Sequence, residues 1–201
     1  MSTYIISFDC GVKNFAYSII LLNDFNKLVK EPITEFFDNN KYQIINIKNV
    51  SLYNVKTDDK FSYHSKAVTL LMSILEKLDQ NIPIKILIEY QLGLNHKTNI
   101  IYNIILTFFE TYYKISNKKN YEIITIKPCY KIKLSEHVDS DNKIRIKFIN
   151  QYKYNKRIVE VYFLQLNEKY KFIDLGKKNK IDDIADSFIQ ILSYIYLLES
   201  V

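Results

Sequence analysis

Residues 3–22, Thr-Tyr-Ile-Ile-Ser-Phe-Asp-Cys-Gly-Val-Lys-Asn-Phe-Ala-Tyr-Ser-Ile-Ile-Leu-Leu, decide the fold. The first seven (3–9) are β-branched and aromatic and end at Asp9-Cys10-Gly11, which reads as a buried strand running into a turn. After that turn, 14–22 reads as the hairpin partner of the first strand. A third strand fits 43–50, Gln-Ile-Ile-Asn-Ile-Lys-Asn-Val, and the polar stretch 23–42 reads as a loop or ragged extension.

Beyond the meander the period changes. Ala67, Leu70, Leu71, Ile74, Leu75 and Leu78 recur as one face of an amphipathic helix over 62–79. Pro83 precedes a dense apolar strand, Ile84 to Ile88, closed by Glu89. Thr98 is placed to cap a helix over about 99–114, with Ile101, Ile104, Ile105, Phe108 and Phe109 apolar on more than one side. Such a helix suits the centre of a core or a dimer interface.

Another strand spans 121–126 and ends at Lys127-Pro128. The segment 129–154 is basic and polar without a clear period, and Ser135 to Asn142 reads as an exposed loop. A helix over about 156–167 uses Ile158, Val161, Tyr162 and Leu164 to Leu166. Lys177-Lys178-Asn179-Lys180 forms a basic linker. The last helix starts at Asp182 or Asp183 and carries Ile184, Phe188, Ile191, Leu192 and Ile195.

The order βββ, α, β, α, β, α, α predicts an α/β fold, a mixed sheet of antiparallel meander then parallel strands flanked by helices. No repeat or domain-sized linker interrupts it, so 1–201 reads as a single domain.

Composition narrows the function classes. With 48% hydrophobic and 25% charged residues the chain is ordinary for a globular protein, and no apolar run reaches the roughly 20 residues of a membrane span. The amino terminus lacks a basic-then-apolar signal pattern, so an intracellular protein is expected. Two cysteines, Cys10 and Cys129, are too few for a disulfide framework and read as reduced. His64, His96 and His137 show no metal-ligand spacing. Any bound metal then falls to carboxylates, which points to magnesium or manganese. A formal charge of +6 favours a polyanionic partner without proving one. The bias toward Ile, Asn, Lys and Tyr suggests an AT-rich genome.

Four acids stand where a core would not want them. Asp9 and Glu89 each end a buried strand, where a carboxylate is costly unless a cation or donor compensates it. Strand ends also open onto the crevice where α/β sheets place their sites. Asp183 and Asp186, at i and i+3, share one face of the last helix about 5–6 Å apart. Such a cluster can hold two metals about 3.5–4 Å apart, one activating water and one stabilising the leaving oxygen of a phosphodiester. Each acid alone has a plainer account. Asp9 suits a turn before Gly11, Glu89 a surface strand end, and Asp182, Asp183 and Asp186 the dipole of a first helical turn.

Three segments decide between these accounts. Ile5 to Ile19 (Ile-Ile-Ser-Phe-Asp-Cys-Gly-Val-Lys-Asn-Phe-Ala-Tyr-Ser-Ile) resembles the first hairpin of RuvC-like Holliday junction resolvases, particularly the poxvirus branch. Ile-Leu-Ile-Glu-Tyr-Gln (86–91) resembles their second-strand glutamate segment, and Lys-Ile-Asp-Asp-Ile-Ala-Asp-Ser-Phe (180–188) their carboxy-terminal Asp-x-x-Asp helix. The three appear in the right order and span nearly the whole chain.

The resemblance implies a ribonuclease H-like fold and a homodimer making paired, symmetric nicks across a four-way DNA junction. It implies two Mg²⁺ ions per site, with Mn²⁺ substituting, on Asp9, Glu89, Asp183 and Asp186. Asp182 would then be the helix cap. Water would attack in line and leave a 5′-phosphate and a 3′-hydroxyl. A viral branch implies the host cytoplasm.

The family also uses a lysine near the site. By position Lys156 is the first choice and Lys131 the rival, with Lys133 and Lys153 as further options. Tyr130, Lys131 and Lys133, and again Tyr152, Lys153, Tyr154, Lys156 and Arg157, interleave basic and aromatic residues that either follow a phosphate backbone or form a solvated face. Gln91, Asn95, His96 and Lys97 follow the Glu89 strand end and would line the junction.

Cleavage of RNA–DNA hybrids or other branched DNA is the alternative within the same chemistry, and a non-catalytic junction-binding protein is the alternative outside it. An actin-like ATPase needs Gly-rich phosphate loops that glycines at 11, 93 and 176 do not supply. No small-molecule cofactor and no membrane partner is expected.

Overall fold

A computed structural model of the chain describes residues 1–23, 37, 41–54, 58–59, 62–90, 96–138, 151–175 and 181–198. Strands β1 (Thr3–Asp9), β2 (Phe15–Leu22) and β3 (Tyr42–Val50) form the antiparallel meander. Then come α1 (Ser62–Leu75), β4 (Ile84–Glu89), α2 (His96–Ile115) and β5 (Tyr121–Ile126). The chain ends in α3 (Cys129–Val138), α4 (Gln151–Tyr170) and α5 (Asp182–Ser193), the last continuing as a π-helical turn over Tyr194–Leu198.

The sheet order is β3-β2-β1-β4-β5. β1 pairs antiparallel with β2 and parallel with β4, and β4 pairs parallel with β5. This is the expected mixed sheet, with β1 at its centre.

Strand alternation divides the core. Ile6 and Phe8 of β1, Phe15, Tyr17 and Ile19 of β2, and Ile84, Ile86 and Ile88 of β4 pack under α1 and α2. Ile5, Ile20, Leu22 and Leu87 pack on the other face under α3, α4 and α5. Continuous burial of β1 and β2 follows because helices cover both faces. In α2, Ile101, Ile105, Phe109 and Tyr113 are buried against the sheet, so this helix belongs to the core. Its outer side, with Ile104, Phe108 and Ile115, lines an apolar groove with Val68 of α1.

Several expected boundaries move. The first helix stops at Leu75, short of Leu78 and residue 79. α2 starts at His96, so Thr98 lies inside it and is not its cap. Of the expected exposed loop from Ser135 to Asn142, 135–138 form the end of α3, and Ser135 is buried. Residues 139–142 and the linker 177–180 lie outside the described residues, as does most of 23–42, although Phe37 is buried and stacks on Tyr170.

A further helix is thus added to the expected order. Its buried positions, Lys131, Leu134 and Ser135, have helical spacing, but two of them are polar and the apolar period is hidden.

Helix α5 departs most from the amphipathic reading. Every residue from Asp183 to Ser193 is buried, including Asp183, Asp186, Ser187, Gln190 and Ser193. Its polar side faces protein. Ser18 Oγ lies 2.7 Å from Ser187 Oγ. Ser187 donates its only proton to the Ile184 carbonyl, so Ser18 donates to Ser187. That bond fastens β2 to the first turns of the helix.

Candidate active site

Asp9 occupies the last rung of the β1–β2 ladder, opposite Ala16. Glu89 closes β4, and the next residue extends the sheet, because the Tyr90 N–H donates to the Ile126 carbonyl. Asp9 shares its strand parity with Ile5, and Glu89 with Leu87, so both acids face the α3–α5 side. The first turns of α5 bring Asp183 and Asp186 to the same place.

The hairpin turn is tight enough to need a glycine. A Cβ on Gly11 would lie 2.3 Å from the Asn14 carbonyl oxygen, so a side chain there would push the turn away from Asp9.

All four carboxylates line one cavity of about 520 Å³, together with Lys131 and Lys156. Asn14, Tyr90, Thr98 and Asn155 complete its rim. Lys131 is only 4% exposed. Its Nζ sits 3.1 Å from Glu89 Oε1 and 3.0 Å from Asp186 Oδ1, joining α3 to β4 and α5. Lys156 is half-buried, 3.0 Å from Asp182 Oδ2 and 3.7 Å from Asp183 Oδ1. Asn49 of β3 donates from Nδ2 to Asp183 Oδ2 at 3.2 Å.

Asp182 does not cap α5. The N-cap is Ile181, which makes no side-chain cap bond, and Asp182 is instead the ion-pair partner of Lys156. An aspartate at the first helical position cannot fold back onto the amide groups the way a residue outside the helix can.

The electrostatics show an excess of negative charge. Burial, then Glu89 and Asp186, hold the Asp9 carboxyl well above its usual range, and Lys131 only partly opposes them. Burial pulls the Lys131 ammonium down, but Asp186, Glu89 and Asp9 together outweigh it and hold the group well above the usual lysine range. Cys10 is buried, and burial with Asp9 and Glu89 pushes its thiol up. It is a packed thiol rather than a nucleophile.

Four carboxylates against two ammonium groups leave the lining at −2. Hard oxygen donors and a surplus of negative charge fit a divalent cation of the magnesium type. Among the described residues no group of three or more acidic, histidine or cysteine side chains stands in an arrangement that could already hold a metal ion. Lys131 stands between two of the acids.

The remaining sequence candidates separate. Lys131, also read as a phosphate-contacting lysine, is buried among the carboxylates rather than solvated. Lys133 and Lys153 are exposed, with Lys133 over the Tyr130 ring. Arg157 is exposed and pairs with Glu160 at 2.7 Å. Lys97 lies over the Tyr53 ring. Gln91 and Asn95 lie outside the described residues. The sequence reading missed Asn49, whose signal is its strand parity with buried Ile47.

No family model matches the chain, and no curated protein is similar to it in sequence. Solved structures are similar in fold. Thermus thermophilus RuvC has a TM-score of 0.54 at 7% identity, over 95% of this chain and 94% of that one. T. thermophilus RuvC in complex with a Holliday junction substrate gives 0.51 at 6%, over 96% and 94%. The yeast mitochondrial Holliday junction resolvase Ydc2 gives 0.52 at 15%, over 95% of this chain and 77% of that one. The fold is therefore the RuvC-like, ribonuclease H-like one.

Proposed function

We propose that the protein is a metal-dependent DNA endonuclease that resolves four-way junctions. The observation that carries this reading is the convergence of Asp9, Glu89, Asp183 and Asp186, from three separate elements, around a buried lysine in one cavity. The likeness to RuvC bound to a junction substrate and to Ydc2 supports DNA as the polyanion, and the +6 charge agrees with it.

In this reading Asp9, Glu89, Asp183 and Asp186 hold two Mg²⁺ ions, with Mn²⁺ substituting. When bound, the ions supply activation of the attacking water and stabilisation of the leaving oxygen. Lys131 remains an ammonium throughout the neutral range, so it is a donor to phosphate oxygen and not a base. Hydrolysis forms a bond from the water oxygen to phosphorus and breaks the bond to the 3′ oxygen, leaving a 5′-phosphate and a 3′-hydroxyl. Lys156, at the open side of the cavity, meets the incoming backbone, and Lys97, Lys133, Lys153 and Arg157 follow it outward.

Paired nicks require two such cavities, so the acting unit is a homodimer. We further propose a viral replication site in the host cytoplasm as its setting, a reading supported by the resemblance of 5–19 to the poxvirus branch.

The test is cleavage of a synthetic four-way junction and a matched linear duplex in Mg²⁺ or Mn²⁺, with wild type and Asp9→Asn. Symmetric nicks in the junction alone, reduced at least about 10³-fold in the variant, are expected. Tight junction binding without cleavage under either metal would leave a non-catalytic binding protein. Cleavage of an RNA–DNA hybrid in preference to the junction would move the activity to the other substrate class.

A further inference from the structure

We infer that Asn49 is a positioning residue that orients the Asp183 carboxylate for cation binding, an inference that rests on the metal-site reading above. Asp9 pairs with Ala16, and Ala16 pairs with Asn49, so the three form one row across β1, β2 and β3. The middle of that row carries only a methyl group. Asp183, on the first turn of α5, is reached from this row by the Asn49 side chain.

Asn49 reaches this face because of a defect in the ladder. The β2–β3 register slips by one residue between Ile19 and Ile20. On β3, Ile44 packs with the α3–α5 face and Ile45 with the opposite one, as alternation requires. Ile47, three residues after Ile44, again belongs to the α3–α5 face, so the slip has inverted the parity. Without it Asn49 would share the face of Ile45 and point away from the acids. Bulges that re-aim a side chain beside a site are a recurrent device of sheets.

The geometry of the bond supplies the role. Asn49 Nδ2 donates to Oδ2 of Asp183, while Lys156 Nζ lies 3.7 Å from Oδ1. A carboxylate held by one oxygen has its rotation fixed, and the other oxygen is presented to the cavity. An amide can do this without adding charge to a site that already carries four acids. Partners of this kind, which hold a ligand without touching the metal, typically alter metal affinity 10–100-fold.

Mn²⁺ binding to the otherwise metal-free protein, measured by calorimetry for wild type, Asn49→Ala, Asn49→Asp and Asp183→Asn, tests this without reference to cleavage. Asn49→Ala should weaken Mn²⁺ binding about tenfold or more while keeping a cooperative thermal transition in the metal-free protein. Asn49→Asp keeps the shape, loses the donor and should bind no better than Asn49→Ala. Wild-type affinity in Asn49→Ala, with Asp183→Asn weakened, would overturn the role of Asn49 and leave the metal site standing. Tighter binding by Asn49→Asp would overturn it too, by making position 49 a ligand position. Wild-type affinity in Asp183→Asn would remove the metal-site reading itself.

Discussion

The two faces of one sheet have been put to different uses, and alternate residues of the same strands supply both. Under α1 and α2 the packing is aromatic and aliphatic, with the Phe8 ring centroid 5.7 Å from Phe15 and 5.8 Å from Phe109. Under α5 the same strands present Ser7, Asp9, Ser18 and Glu89, with Asn49 arriving through the bulge. Phe8 and Asp9 are neighbours in sequence and belong to opposite tasks. One face therefore gains stability mainly from the apolar surface it buries. The other holds charge that would be unfavourable if the face served only to fold the chain.

The contrast between the faces is broken most severely by removing the buried Lys131 ammonium. Lys131→Met leaves Glu89, Asp186 and Asp9 without their counter-charge, and breaking a buried pair in this way costs about 3–5 kcal/mol. Phe109→Ala on the apolar face should cost a similar amount, about 3–5 kcal/mol, as cavity and lost transfer energy. Urea unfolding at pH 7.5 and pH 5.5 separates the two. The Lys131 penalty should shrink at the lower pH, because the Asp9 carboxyl, held above its usual range by burial and by Glu89 and Asp186, moves toward its neutral form, and the Phe109 penalty should not. The lysine itself adds no slope there. Its folded pKa is raised, so its contribution is fully present below the unfolded value near 10.4 and is lost only in strong alkali. A Lys131→Met protein as stable as wild type at pH 7.5 would show that the ion pairs contribute nothing to the fold.

A smaller effect of opposite sign is expected from Asp9→Asn. The Asp9 carboxyl has its pKa raised in the folded state, so its ionised form opposes folding. In the metal-free protein its contribution to stability improves as pH falls through the folded pKa toward the unfolded value near 3.9. The amide removes the charge at every pH. Asp9→Asn should therefore stabilise the metal-free protein by about 0.5–2 kcal/mol at alkaline pH and remove the gain in stability that the wild type draws from Asp9 as the pH falls. Destabilisation at pH 8 would mean that Asp9 is compensated in the fold and that the site carries no surplus charge.

The apolar face was almost fully legible in the sequence, because β-branched and aromatic runs and the 3.6 period of α1 report burial directly. Asp9, Glu89, Asp183 and Asp186 stood out by a different route: each alone allowed a plainer account, the resemblance of three segments to RuvC-like resolvases singled them out together, and the fold brings all four into one cavity. What escaped was polar and buried. Helix α3 was hidden because Lys131 and Ser135 occupy positions where the period needs apolar residues. Asn49 was hidden because a one-residue slip, which no composition reveals, sets its direction. Residues at the site obey the pairing of a particular cluster rather than a general periodicity, and pairing becomes visible only when distant segments meet.

The smallest expected effect distinguishes Lys156, the first choice by position, from its rival Lys131. Lys156 keeps about a third of its side chain exposed, as does its partner Asp182. Water and salt screen such a pair, and its net worth is within about 1 kcal/mol. Lys156→Met should therefore lower stability by less than about 1 kcal/mol, with the difference fading in 0.5 M salt, while the Lys131→Met penalty survives the same salt because that pair is shielded from solvent. Thermal unfolding of both variants at low and high salt reads this contrast directly. A large, salt-resistant loss in Lys156→Met would mean that α4 is locked to α5 through this pair, and that the acidic face depends on two buried cations rather than one.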